Sequence, residues 1–141
     1  MDSLQRMEIE AACTRISVRY CFAVDARDYV TFIGLFTEDA VWTTPGRAPW
    51  RGHAGIRQFT SEISTTQTVR HVASNILVDV IDENHARGMS CTTVYRHMGN
   101  EAPAPMEGPA LIVENRDEYR RTDKGWQIAS RTIVPIFRRS A

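Results

Sequence analysis

The first half of the chain has its apolar residues at helical spacing. Between residues 4 and 24 they recur at steps of three and four, which is typical of an amphipathic helix with one buried face. Ser3 or Asp2 can cap the start of this helix, and Asp28 can cap a second, shorter one that reaches Phe36. The predicted elements of this half are helices at 4–24, 28–36 and 53–64 and a strand at 40–44.

From residue 69 onward the apolar pattern changes to a period of two. It predicts strands at 69–82, 85–98, 110–122 and 126–138, with two tight turns and one longer loop at 99–105. Each strand exceeds the usual length of about 5–6 residues, and long strands in one small sheet must twist and curl. Helices followed by antiparallel strands indicate an α+β fold. We therefore predict a cone-shaped curved antiparallel sheet with the N-terminal helices packed over it, enclosing a pocket.

The length and composition of the chain exclude several classes of protein. A chain of 141 residues with 43% apolar residues suits one domain, 1–141. A net charge of zero lacks the basic surface that nucleic-acid binding requires. No apolar run approaches the roughly 20 residues of a membrane helix, and the N-terminus does not resemble a signal peptide. The three cysteines form no C-x-x-C motif, which favours the reducing cytoplasm.

His71 and Asp25 are the first candidates for chemistry. Strand alternation puts His71 on the same face as Ala73, Asn75 and Leu77, and the apolar residues on both faces predict that both are covered. A covered histidine needs a partner, which is a backbone carbonyl in the simplest interpretation and a carboxylate in a functional one. Asp25 ends the first helix, where the helix dipole disfavours an anion. It is either a turn residue that pairs with Arg27 or that carboxylate.

Tyr20 and Arg131 are weaker candidates. Tyr20 lies on the buried stripe of the first helix, as a core residue or as a hydrogen-bond donor to a ligand. Arg131 alternates with apolar residues on its strand, where it either pairs with an acid or binds an anion. The remaining histidines lack metal-ligand spacing, and no phosphate loop or nucleophile motif is present. We therefore expect neither a metal nor a cofactor.

Several loose motifs occur in one order along almost the whole chain. They are Tyr20-x4-Asp25, Leu35-Phe36-Thr37-Glu38-Asp39-Ala40, Gly52-His53-x2-Ile56, Arg70-His71-x3-Asn75 and Gly125-Trp126-x4-Arg131. This ordered set resembles the SnoaL-like branch of the nuclear transport factor 2-like superfamily. Its site pattern is similar to that of bile acid 7α-dehydratase, scytalone dehydratase and hexachlorocyclohexane dehydrochlorinase, which use an Asp–His pair. A pocket tyrosine expected after the second motif is replaced here by Trp42.

The resemblance implies a catalytic set of Asp25, His71, Tyr20 and Arg131. It implies a cofactor-independent lyase that removes water or HX from a hydrophobic cyclic, steroid-like or polyketide-like molecule. An isomerase or cyclase acting through an enolate stays open, as does a non-catalytic subunit like those of ring-hydroxylating dioxygenases. A homo-oligomer, dimer or trimer, is the expected assembly. The residues expected to line the substrate pocket are Trp42, Asn75, Phe59 and Tyr95.

Overall fold

The computed structural model describes residues 1–140 and confirms the α+β architecture. Its elements follow the predicted ones with two differences: the first strand begins at Phe36, not at residue 40, and a short strand at Trp50–Arg51 was not predicted. None of the described helices is long and apolar enough to cross a membrane. The elements are α1 Ser3–Asp25, α2 Tyr29–Gly34, β1 Phe36–Thr43, β2 Trp50–Arg51, α3 Gly52–Ser61, β3 Gln67–Val80, β4 His85–Met98, β5 Leu111–Thr122 and β6 Gly125–Arg138.

The strands form one six-stranded sheet in the order β2-β1-β6-β5-β4-β3. Strands β3 to β6 pair antiparallel, as predicted, whereas β1 runs parallel to β6, from which α3 and the two long hairpins separate it in sequence. Helix α1 packs on β3, β4 and β6 together, so the sheet curls around this helix. The two edge strands, β2 and β3, do not meet, and the sheet stays unclosed.

Helix α1 begins at a capping box. The Asp2 carboxylate accepts a hydrogen bond from the Gln5 backbone at 2.8 Å, and the Gln5 side chain accepts one from the Asp2 backbone at 2.9 Å. The helix ends at Asp25, where Arg27 takes a left-handed conformation with φ of 57° and Asp28 caps α2 through the Thr31 backbone. This corner places Asp25 beside the sheet.

Aromatic side chains fill the space between the helices and the sheet. The Trp42 ring lies in the middle of this group, with ring centroids 4.4 Å from Phe59 and 6.4 Å from Tyr20. Edge-to-face contacts dominate, the arrangement that aromatic quadrupoles favour. The large buried apolar side chains of this core are Ile9, Ile16, Tyr20, Phe32, Ile33, Phe36, Trp42, Trp50, Ile56, Tyr119 and Ile128.

Strand β3 departs from the predicted alternation. The pairing with β4 shifts between Ser74 and Leu77, and Asn75 lies in this bulge with φ of 51°. Asn75 is exposed, as is Leu77, so the prediction that both share the covered face of His71 is wrong. Within the single chain the opposite face is not covered either, because Val72 on it is exposed. Exposed apolar residues on the outer face are compatible with contact to a second copy, and the expected oligomer stays a prediction.

Asn75→Ala is expected to destabilise the fold by about 1 kcal/mol, because a left-handed backbone crowds the Cβ of every residue and asparagine tolerates it best after glycine. Asn75→Gly is the matched control, since glycine adopts this conformation without steric cost, and we expect it to be near neutral. Urea unfolding followed by circular dichroism measures both values. Equal losses in the two variants would contradict this account of the bulge.

Candidate active site

Asp25 and His71 are in direct contact. Asp25 Oδ1 lies 2.5 Å from His71 Nδ1, and Oδ2 accepts a hydrogen bond of 2.8 Å from the His71 backbone N–H. The Asp25 side chain is 1% exposed and that of His71 is 19% exposed. One buried carboxylate therefore fixes both the ring and the backbone of the histidine. Donation from Nδ1 to a carboxylate leaves Nε2 as the ring nitrogen that can take up a proton.

The turn after α1 holds this carboxylate in place. Arg27, which the sequence offered as an ion-pair partner for Asp25, instead donates a 3.0 Å hydrogen bond to the Gln67 carbonyl at the start of β3. This bond ties the corner after α1 to the strand that carries His71. The structure thus brings Asp25 and His71 together across 46 residues of sequence, a contact that spacing alone does not predict.

A pocket of about 270 Å³ opens beside the pair. Its walls come from one face of α1 and from the edge strand β3, and most of them are apolar. Phe22 and Val72 are exposed at its rim, whereas Cys21 is buried at its base. The lining residues are Val18, Cys21, Phe22, Asp25, Arg70, His71, Val72 and Ala73.

Arg131 belongs to a second, fully buried cluster. Its Nε and Nη2 donate two hydrogen bonds of 2.7 Å to the two oxygens of Asp117, and both side chains are 1% exposed. Tyr119 donates to Asp117 at 2.9 Å, and its hydroxyl lies 3.2 Å from that of Ser17 on α1. Of the two interpretations of Arg131, the structure shows the pair with an acid. A bidentate partner neutralises the guanidinium and leaves it little capacity for a substrate anion.

Tyr20 packs under this arginine. The guanidinium carbon of Arg131 lies 4.2 Å from the centre of the Tyr20 ring. Burial raises the pKa of Tyr20 to about 12, although the charge of Arg131 opposes the shift. Burial lowers the pKa of Arg131, but the Asp117 carboxylate outweighs it and holds this pKa above its usual range. At neutral pH the Tyr20 hydroxyl therefore keeps its proton, and Arg131 keeps its charge.

Cys21 lies between the two clusters. Burial raises the pKa of its thiol to about 11, with Arg131 opposing the shift and Asp25 adding to it. Both charged groups thus act on the same buried sulfur, one helical position after Tyr20. A thiol with so high a pKa is protonated and unreactive at neutral pH. Cys21 is a wall of the pocket, not a nucleophile.

The four residues expected to bind substrate lie in three different places. Trp42 and Phe59 pack together in the aromatic core, and the buried Trp42 N–H has no hydrogen-bond partner within residues 1–140. Asn75 lies in the exposed bulge. Tyr95 pairs with Arg70 across the β3–β4 ladder, whereas His71 pairs with Val94, so the Tyr95 side chain is on the opposite face of the sheet from His71. The structure therefore groups neither Asn75 nor Tyr95 with the Asp–His pair.

A family model for the SnoaL-like domain matches residues 5–132, which is most of the chain. The chain belongs to the SnoaL-like family. No curated protein matches its sequence. The SnoaL-like assignment agrees with the order of motifs found in the sequence and with the helices and the curled, unclosed sheet of the structure.

Solved structures show the same fold at low sequence identity. A protein of Novosphingobium aromaticivorans provisionally assigned as a scytalone dehydratase is 20% identical, with a TM-score of 0.85 over 96% of this chain and 89% of its own. A type 2 hexachlorocyclohexane dehydrochlorinase is 15% identical, with a TM-score of 0.80 over 96% and 90%. An NTF2-like protein with a cystatin-like fold, also from Novosphingobium aromaticivorans, is 22% identical, with a TM-score of 0.81 over 94% and 85%.

Asp117 and Tyr119 are parts of this SnoaL-like domain that the sequence interpretation missed. The signal was present, because alternation along β5 places Val113, Asn115, Asp117 and Tyr119 on one face, and all four are buried. An aspartate on a face with three buried neighbours requires a cationic partner. Arg131 on the adjacent strand was already a candidate for that partner.

Proposed function

We propose that this SnoaL-like protein is a cofactor-independent lyase in which His71, held by Asp25, removes a proton from a hydrophobic cyclic substrate and expels water or HX. The observation that carries the proposal is the pair of contacts from Asp25 to His71, one to the ring and one to the backbone. They fix one orientation and one tautomer of the imidazole, and they leave Nε2 for catalysis beside a largely apolar pocket.

The proton transfer balances as an elimination. Nε2 of His71 takes a proton from a carbon next to a carbonyl group, and the electrons of the broken C–H bond form the new double bond. The bond to hydroxide or halide on the adjacent carbon breaks, and the leaving group departs with its electron pair. Asp25 stabilises the imidazolium that forms, and solvent takes the proton at the end of the cycle. A positioned base of this kind contributes about 10²–10⁴-fold in rate.

Tyr20 and Arg131 complete the proposed site from the buried side. The Tyr20 hydroxyl, protonated at neutral pH, is the proposed proton donor to a departing hydroxide, which then leaves as water, and the tyrosinate that remains takes a proton from solvent before the next cycle. Tyr20 does not line the pocket itself, so this role requires a substrate that reaches past Cys21. Arg131 acts through the Tyr20 ring and Asp117 as a positioning residue, because its donors are directed to Asp117.

A screen of β-hydroxy ketones with steroid and polyketide skeletons tests the proposal. Elimination produces a conjugated enone, which is followed by its ultraviolet absorbance and by mass loss of one water. Asp25→Asn is expected to lower kcat by about 100-fold or more, because the amide no longer stabilises the imidazolium. Asp82→Asn is the matched control, since Asp82 pairs with His85 at 2.9 Å on the exposed surface.

Three outcomes of the screen differ in meaning. Loss of water that depends on Asp25 and not on Asp82 supports the lyase. Deuterium exchange next to the carbonyl without loss of water replaces the lyase by the enolate-forming isomerase or cyclase. Inertness of the wild-type protein towards the whole panel, with no exchange, contradicts both enzyme proposals and favours a binding or structural subunit.

A further inference from the structure

Arg70 is the arginine among the residues that line the Asp25–His71 pocket. It precedes His71 on β3, so alternation directs its side chain to the opposite face of the sheet. Because β3 is an edge strand, the side chain can pass around the edge, and Nη1 lies 3.9 Å from Asp25 Oδ2. At this distance the contact is an ion pair and not a hydrogen bond. The side chain is 63% exposed, so most of its donors face solvent.

A second pocket of about 310 Å³ begins at the same arginine. It lies on the outer face beside the loop after β4, and Tyr95 and Met106 contribute to its walls. Arg70 and Val72 line both pockets, so the guanidinium is at the junction between them. A ligand that occupies both pockets across the edge of the sheet therefore lies next to the N–H donors of Arg70.

The charges favour an anion at this junction. Arg131, the arginine that the sequence offered as an anion ligand, is buried and bound through two hydrogen bonds to Asp117. The Asp25 carboxylate is buried and already accepts from the ring and the backbone of His71. The Asp25 oxygens therefore already have hydrogen-bond donors in the protein interior. Arg70, in contrast, presents free N–H groups at the rim of the pocket. A carboxylate that meets a guanidinium forms the stronger, charge-assisted class of hydrogen bond.

We propose that Arg70 is the residue that selects the substrate, by binding a carboxylate or similar anionic group on an otherwise apolar ring molecule. The ring lies in the Asp25–His71 pocket, and any larger apolar part extends into the pocket of Tyr95 and Met106. This inference rests on the proposed function for the reaction that follows binding. The binding step itself requires only the pocket and the arginine.

The test compares 2-naphthoate with 2-naphthamide, two flat ring probes that differ in one charge. Calorimetry at low ionic strength measures both dissociation constants, since salt screens an exposed arginine. We expect the wild-type protein to bind the carboxylate about five- to tenfold more tightly than the amide. In Arg70→Gln the two constants should become equal, and Arg70→Lys should keep part of the preference because it keeps a point charge.

Arg87→Gln is the matched control. Arg87 is 68% exposed, close to the exposure of Arg70, and lies 3.9 Å from an acid, Glu118, but it does not line the Asp25–His71 pocket. It should retain the full carboxylate preference. A wild-type protein without preference, or an Arg70→Gln variant that keeps it, overturns the proposal. Carboxylate preference in a protein that eliminates nothing leaves the role of Arg70 standing and refutes only the lyase.

Discussion

His71→Gln is expected to abolish elimination, with kcat lowered by about 10²–10⁴-fold, because the amide of glutamine cannot take up a proton at neutral pH. Glutamine is close in length to histidine and can still donate to Asp25, so the contact that anchors the corner after α1 is kept. We therefore expect the loss in kcat without a comparable change in KM. Steady-state kinetics on any substrate found in the β-hydroxy ketone screen measures the two constants.

His85→Gln is the comparison for this variant. His85 also pairs with an aspartate, at 2.9 Å, but both partners are exposed and neither lines the Asp25–His71 pocket. It should turn over substrate at the wild-type rate. Thermal unfolding of both variants separates catalysis from folding. A His71→Gln protein that folds and retains its turnover contradicts a role of His71 as the base.

Asp117→Ala is expected to destabilise the protein by about 3–5 kcal/mol, because it leaves the guanidinium of Arg131 buried without a counter-charge. Tyr119 loses the acceptor of its hydroxyl proton at the same time. Urea unfolding at neutral pH gives the free energy. Asp39→Ala, which breaks the exposed pair with Arg120, should change it far less.

A double variant decides whether the loss comes from the unpaired charge. Arg131→Met together with Asp117→Leu removes both charges and keeps the volume of the cluster approximately constant. Buried ion pairs replaced in this way are often neutral in stability, so we expect the double variant to recover most of what Asp117→Ala loses. A double variant as unstable as the single one would show that packing, and not charge, explains the result.

Most of the fold could be predicted because its strands are long and their patterns are clear. The prediction fails where the period-two pattern of a strand is interrupted locally. The bulge at Asn75 inserts a residue into β3, and a similar shift in β6 near Ser130 lets Ile128 and Arg131 both be buried although their parities differ. The parallel pairing of β1 with β6 depends on tertiary packing, which hydrophobic spacing does not encode.

The candidate site could be predicted in parts. Asp25 and His71 could be identified as candidates because of their unusual positions in the sequence pattern. Their contact could not be predicted, because it depends on the corner at Arg27 and on the hydrogen bond from Arg27 to Gln67. The face of the sheet on which Tyr95 lies could not be predicted, because the sequence gives no register between β3 and β4. The role of Arg131 could be inferred only together with its partner Asp117. Alternation along β5 indicates that partner once β5 and β6 are known to be neighbours.

The bond from Asp25 to the His71 backbone also concerns the edge of the sheet. Strand β3 has no neighbour on its outer side, and an edge N–H that points outward is where a foreign strand would begin to pair. Asp25 already occupies that donor, and it brings a negative charge to a position where an incoming carbonyl oxygen would have to approach. The carboxylate proposed to serve the base thus also removes one free donor from the exposed edge of β3.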